Sequence, residues 1–253
     1  MTFANGLECY YSSSIEETEY IYSEIFAEKQ YDKNGIVINE GDCIFDVGAN
    51  IGLFTIFASQ MQKNVQIYAF EPIGATFAVL EENIRLHSLE NVRLFNCGLS
   101  SENNLEKIFT FYPNMAGNST TKPNDIIADA DEIKSQPDAE EITDLFADFF
   151  VEQTQVKCPV RTLSSLIDEL GIDTIDLLKI DVEGEEYEVL QGIEDKDWPK
   201  IKQIVGEFHD KKGRLEKVKT ILTHQGFNII LEKRELLPSS FVDTYTLYAI
   251  RQV

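Results

Sequence analysis

The segment GDCIFDVGANIGLFTIF constrains this chain more than any other. It reads as a short apolar strand ending at Asp46, a turn DVGANIG, and a helix that is apolar around most of its circumference. Such a helix has to be buried against a sheet. The β-rich runs VQIYAF and VRLFNC follow, each separated from the next by a segment of helical spacing, and the second helical segment carries Phe77, Leu80 and Ile84 on one face. Strands that alternate with helices form parallel sheets joined by crossover helices. IDLLKID, KIKQIVGEF, FNIILEK and TYTLYAI read as further strands, so the fold class is α/β with about seven sheet strands and no internal repeat.

Two regions flank this pattern. Residues 1–41 read as an acidic helical cap with Ile15, Tyr20, Tyr22, Ile25 and Phe26 as its buried set, and residues 42–253 as the main domain. KIFTFYP and VKCPV read as a strand pair carrying an insertion at about 113–155. Between Asp125 and Glu152 the insertion holds ten acids against the single Lys134, yet it also contains Ile142, Leu145, Phe146, Phe149 and Phe150. That mixture suits either a solvated surface helix or loop, or an inserted lid. TLSSLIDELG is a helix with Thr162 as N-cap and Gly171 just past its end.

Composition narrows the partners. With 44 acidic and 22 basic side chains the formal charge is −22, and a polyanion of that strength repels phosphate backbones and anionic lipid surfaces. No nucleic-acid partner and no membrane partner is expected. Cys9, Cys43, Cys97 and Cys158 form no CxxC pair and have no histidine spaced to complete a zinc site, so they read as reduced thiols in or near the core. The N-terminus has neither a basic nor an apolar leader region, and no apolar run approaches the roughly 20 residues of a membrane span, so a cytoplasmic location is expected.

The turn after the first strand of an open parallel sheet is where ligands meet a helix N-terminus. Gly48 and Gly52 permit a tight turn and close backbone approach, and Asn50 tolerates a left-handed conformation. The spacing is GxxxG, not the dinucleotide GxGxxG, and Asp46 would repel a pyrophosphate while favouring a cationic ligand. About twenty residues further on, FEP supplies Glu71, placed like the acid that accepts the hydroxyls of a ribose.

DVGANIGLFT, FEPIGATFAVLEENI, NCGLSS and LLKIDVEGEEYEVLQGI together resemble the FkbM-type family of S-adenosylmethionine-dependent methyltransferases, from about Gly41 to Glu207. The resemblance implies a class I methyltransferase, Rossmann-like fold: a seven-stranded, mostly parallel sheet with helices on both faces and an antiparallel last strand. It implies that Asp46, Gly48, Asn50 and Gly52 surround the amino-acid part of the cofactor, that Glu71 holds its ribose, and that Cys97, Gly98 and Ser100 lie near its adenine. The family commonly has a second proline soon after FEP; here Ile73 and Gly74 stand in its place.

Chemistry should sit on the neighbouring strand ends. KIDVEGEE ends one strand and brings Lys179, Asp181 and Glu183 to the cofactor's edge of the sheet, with Asp181 also touching the cofactor; GEFHD brings Glu207, His209 and Asp210. Strand alternation puts Glu207 and His209 on one side and Phe208 on the other. Methyl transfer to an alcohol requires the oxygen to lose its proton, and His209 is the expected general base, oriented by Asp181 or Glu207. The alternative is a magnesium or manganese ion held by Asp181, Glu183 and Glu207. For Glu183, a place in the first turn of a helix would explain the acid without any ligand. Lys179 reads as an ion-pair partner of Asp181 or Glu207, or as a catalytic amine. Asn114, Met115, Asn118 and Ser119 border the expected acceptor pocket.

After His209, Lys211, Lys212, Arg214, Lys217 and Lys219 reverse the charge locally, which suits either a solvated helix face or docking of an acyl or peptidyl carrier protein. The family resemblance implies O-methylation of a hydroxyl on a secondary metabolite, such as a polyketide or nonribosomal peptide intermediate. The rival readings are an NAD-dependent oxidoreductase, which needs a pyrophosphate beside Asp46, and a non-catalytic cofactor-binding scaffold, which has no use for Asp181, Glu207 and His209.

Overall fold

The computed structural model describes residues 1–12, 14–126, 152–234 and 243–252. The strands are β1 (Cys43–Val47), β2 (Gln66–Phe70), β3 (Val92–Phe95), β4 (Gly98–Leu99), β5 (Leu105–Phe111), β6 (Thr154–Arg161), β7 (Leu177–Ile180), β8 (Gln203–His209), β9 (Phe227–Lys233) and β10 (Thr244–Arg251). The α-helices are α1 (Ile15–Tyr22), α2 (Leu53–Met61), α3 (Gly74–Leu86), α4 (Pro123–Ile126), α5 (Leu163–Leu170), α6 (Glu186–Gln191) and α7 (Arg214–His224).

Seven strands form one sheet in the order β3-β2-β1-β7-β8-β10-β9, parallel except for β10, which runs antiparallel between β8 and β9. This is the expected architecture, last strand included. The order reverses between β1 and β7, so the crevice above their carboxyl ends opens beside Gly48 and Asp181. Period-two alternation feeds two cores. Phe45, Tyr68, Leu178, Ile204 and Leu247 pack on one face with Leu166 and Ile167 of α5. Ile44, Ile67, Leu177, Val205 and Tyr248 pack on the other with Phe54 of α2 and Leu80 of α3.

Two sequence expectations change. Residues 1–41 are helical only over α1 and a π-helical turn at Ser23–Ala27. Of the expected buried set Ile25 is buried, but Ile15 and Tyr20 are 44% and 51% exposed; Tyr20 lies at a cavity rim, where its hydroxyl accepts from Arg234. The segment is instead held by rings: Phe3 stacks on Tyr22, Tyr22 on Phe26, and Phe26 meets Phe57 of α2 edge-on. The run VRLFNC is a strand only as far as Phe95. β3 ends at Phe95, and Gly98–Leu99 pairs with β6 in a separate small sheet, β4-β6-β5, whose antiparallel β5–β6 pair is the expected strand pair.

The small sheet packs Ile73, Phe109, Cys158 and Val160 together beside the crevice. Residues 127–151, which hold most of the acidic insertion read as a lid, lie outside the described residues. All four cysteines are free, and Cys9, Cys97 and Cys158 are buried, as expected. Thr162 caps α5 by accepting from the Ser165 N–H, and Gly171 ends it in a left-handed conformation. Among the described residues no helix is long and apolar enough to cross a membrane.

Candidate active site

The crevice holds a cavity of about 560 Å³, large enough for a drug-sized ligand. One end is built by the glycine turn. Gly48 has φ +78°, and a Cβ placed there would lie 1.7 Å from the Asp181 carbonyl oxygen. Only glycine fits between β1 and β7. Gly52 has φ +91° and caps α2; a Cβ there would meet Leu80 at 2.6 Å. Asn50 takes φ +50°, as its residue type allows.

Glu71 faces this turn. Its two carboxylate oxygens accept from the Asn50 N–H at 3.0 Å and the Ile73 N–H at 2.9 Å. Ile73 therefore supplies an N–H that a proline at this position would lack. Burial pushes the Glu71 carboxyl up to about 7, against those two N–H groups and the Lys179 charge. Gly98, Leu99, Phe109 and Val160 line the adjoining apolar wall.

Asp46 stands apart from the cavity lining. It is fully buried at the base of the turn, accepting from the Thr55 hydroxyl at 2.6 Å and pairing with the Lys179 ammonium at 3.1 Å. Its charge is therefore met from within the protein, and it shapes the turn from below. Gly52, Cys97 and Ser100 are also absent from the cavity wall. Cys97 packs into the core, and the Ser100 hydroxyl accepts from Lys107 at 2.7 Å.

Lys179 resolves as an ion-pair residue. Its Nζ donates to the Gly48 carbonyl at 2.7 Å and lies 3.7 Å from Asp181, which also accepts from the Tyr31 hydroxyl at 2.8 Å. Burial lowers its basicity, but Asp46 and Asp181 outweigh this and raise it. It remains an ammonium and is not a free amine.

The far end carries the strand-end acids. Glu207 and His209 line the cavity while Phe208 packs into the core, as alternation requires. His209 is ringed by carboxylates: Nδ1 lies 3.0 Å from Glu186, and Nε2 lies 3.4 Å from Glu183 and 3.7 Å from Glu207. Burial alone would lower its basicity, but Glu183, Glu186 and Glu207 push it up to about 10. The three carboxylates around it therefore favour the protonated ring. Glu207 also pairs with Arg234, which in turn binds Glu24 and the Tyr20 hydroxyl.

Glu183 is not in the first turn of a helix. It sits in a turn before α6 with φ +50°, its carbonyl accepting from the Thr120 hydroxyl at 2.6 Å. Gly184 follows, its carbonyl accepting from Lys122 at 2.9 Å and Arg214 at 3.0 Å. Arg214 is therefore a buried structural residue, while Lys212 and Lys217 of the basic cluster are exposed. Of the expected acceptor border, Met115, Asn118 and Ser119 line the cavity and Asn114 does not.

Sequence reasoning missed Glu17, Tyr31, Glu186 and Arg234. Glu186 stands inside the KIDVEGEE motif already singled out; the other three reach the site only through tertiary packing. Glu17 lines the cavity, accepting from the Gly117 N–H at 2.8 Å, and thereby ties α1 to the loop after β5. Burial pushes its carboxyl up from 4.5 to about 7, against N–H donation from Gly117 and Ala116. A folded-state value above the unfolded one stabilises below the unfolded value, and that stabilisation is lost as pH rises through the folded value. Melting temperature should therefore fall from about pH 5 to about pH 8. Glu17→Gln should show a shallower fall, with Glu71 keeping part of it. Equal slopes would show that Glu17 is not the titrating group.

The family profile described as the methyltransferase FkbM domain matches residues 46–229. The chain is 37% identical over 225 residues to the 31-O-demethyl-FK506 methyltransferase FkbM of Streptomyces tacrolimicus, covering 87% of this chain and 85% of that one. It is 34% identical over 257 residues to the AMB antimetabolite synthetase AmbE of Pseudomonas aeruginosa, covering 94% of this chain but 12% of the synthetase. Among solved structures, the methyltransferase FkbM from Methylobacillus flagellatus superposes with a TM-score of 0.55 at 17% identity, covering 90% of this chain and 48% of that one.

Proposed function

Since the chain belongs to the FkbM methyltransferase family and is an S-adenosylmethionine-dependent methyltransferase, we propose that it methylates a hydroxyl group of a secondary metabolite. One observation carries this reading: Glu183, Glu207 and His209 converge on the same cavity as the glycine turn and Glu71. A non-catalytic scaffold has no need of the first group, and the acids around the crevice disfavour the pyrophosphate of NAD.

The residues fit the cofactor. A Cβ at Gly48 would close the cradle, Glu71 offers a carboxylate to a ribose, and among the described residues the buried Asn50 Oδ1 has no hydrogen-bond partner. Gly98 and Leu99 offer an apolar wall to the adenine, and Asp181 offers a carboxylate to a cationic group. The bound cofactor supplies an electrophilic methyl group on a sulfonium. Lys179 and Tyr31 hold Asp181 in place, and Glu183, Glu207 and His209 together orient the acceptor hydroxyl and take up its proton.

The name of the Streptomyces relative denotes transfer to an oxygen, which supports a hydroxyl acceptor. The match to a small part of a synthetase supports an acceptor tethered to a carrier protein, with exposed Lys212 and Lys217, which follow His209 in the chain, as docking charges. His209→Ala should lower turnover by at least about 100-fold while binding of S-adenosylmethionine stays within a few-fold, as expected for a group that meets only the acceptor. Full turnover in that variant would remove His209 from the chemistry. Faster methylation of carrier-bound than of free hydroxyacyl substrates would establish the tethered acceptor, and equal rates would reject it.

A further inference from the structure

Glu183, Glu207 and His209 each present one donor atom to a common point, and these atoms lie within 4.8 Å of one another. Three features separate them from an incidental group of acids. His209 Nδ1 is engaged by Glu186 at 3.0 Å, so Nε2 faces the other two carboxylates. Metal-binding histidines characteristically donate their second nitrogen to a carboxylate in this way. Glu186 is itself fixed, accepting from the Gly184 N–H at 2.7 Å.

The second feature is Glu183 Oε2, which is buried, accepts no hydrogen bond among the described residues and has His209 Nε2 3.4 Å away. Its backbone takes a left-handed turn in which Thr120 holds the Glu183 carbonyl and Lys122 and Arg214 hold that of Gly184. The third is the division of labour at Glu207. Oε2 is taken by Arg234, and Oε1 is left facing His209 Nε2.

We propose that Glu183, Glu207 and His209 bind a divalent cation of the manganese type, with Glu186 as a positioning residue for His209. The site differs from the all-carboxylate set Asp181, Glu183 and Glu207 that the sequence offered as the alternative to a histidine base. Asp181 is instead held by Tyr31 and Lys179, a cationic neighbour unsuited to a metal ligand. One imidazole with two carboxylates suits Mn²⁺ better than Mg²⁺, which prefers oxygen ligands throughout. Three protein ligands leave positions open toward the cavity, where an acceptor hydroxyl would be acidified by coordination and lose its proton to water in the cavity, the cation then taking over the role of proton acceptor given above to the three free side chains. That role rests on the methyl-transfer reading; the binding itself does not.

The test is titration of the EDTA-treated full chain with MnCl₂, followed by calorimetry and by the electron paramagnetic resonance of free Mn²⁺. S-adenosylmethionine binding is measured on the same samples. A single saturable Mn²⁺ site per chain is expected. Glu183→Gln, Glu207→Gln and His209→Ala should each weaken it by at least about 10-fold, and Glu186→Gln by about 10- to 100-fold, while exposed Glu169→Gln leaves it unchanged. The unsubstituted chain decides on its own: a sample that binds S-adenosylmethionine but shows no Mn²⁺ site overturns the proposal and leaves the methyltransferase reading intact. Unchanged Mn²⁺ affinity in all four site variants overturns it equally.

Discussion

Gly48→Ala should eliminate measurable S-adenosylmethionine binding and lower the urea midpoint of unfolding. The added methyl group would lie 1.7 Å from the Asp181 carbonyl oxygen, a backbone atom fixed by the register of β1 and β7. No side chain can swing aside to relieve that contact. Moving Asp181 would also disturb its bond from Tyr31, and moving Gly48 would disturb the bond its carbonyl accepts from Lys179. The positive φ adds about 1–2 kcal/mol for any residue with a Cβ. Gly41→Ala separates the two effects, because Gly41 has φ +82° but nothing within 4 Å of the added carbon. That control should lose about 1–2 kcal/mol of stability and keep cofactor binding. Near-normal binding in Gly48→Ala would mean that the two strand ends are not held as closely as described.

Glu71→Gln should weaken S-adenosylmethionine binding by at least about 100-fold, since hydrogen bonds to a charged group contribute about 1.5–3 kcal/mol each. The substitution is nearly isosteric, but one oxygen becomes an NH₂ facing the N–H of Asn50 or Ile73, and the charge offered to the ribose is gone. Burial raises the empty carboxyl to about 7, and ribose hydroxyls donate best to its ionised form. Affinity should therefore fall about tenfold for each pH unit below about 7 in the unsubstituted chain, and Glu71→Gln should lose that dependence. Calorimetric titrations at several pH values check both effects. A pH-independent affinity in the parent would show that Glu71 is ionised without the ligand.

Most of the large sheet could be read from the chain because its signal is local: strands of period two, buried helices between them, and a turn whose residue types suit positive φ. The antiparallel β10 came from resemblance, and the strand order came only with the structure, since no local pattern states which edge a strand joins. The N-terminal segment was misread for a physical reason. Its aromatic residues have the spacing of a packed helix, but their placement depends on Phe3, Phe57 and Arg234, which are distant in the sequence.

At the site, the motifs located Glu71, Asp181, Glu183, Glu207 and His209 on one cavity. They did not disclose that Asp46 and Lys179 neutralise each other beneath it, nor that Glu186 stands behind His209. Pairings of that kind depend on strand register and turn geometry, and a charge read in isolation cannot supply either. The net charge of −22 is similarly uninformative about the crevice, where Lys179 and Arg234 are set among acids.

The central claim is that this chain moves a methyl group from S-adenosylmethionine to a hydroxyl oxygen. It is tested most directly by incubating the protein with S-adenosylmethionine carrying an isotopically labelled methyl group and with free and carrier-bound hydroxyacyl substrates. Mass spectrometry and carbon NMR then locate the label. The account predicts a labelled methoxy group whose appearance requires His209. Label on carbon or nitrogen would contradict the hydroxyl assignment, and preferential binding of NAD with no S-adenosylmethionine bound would contradict the site as a whole.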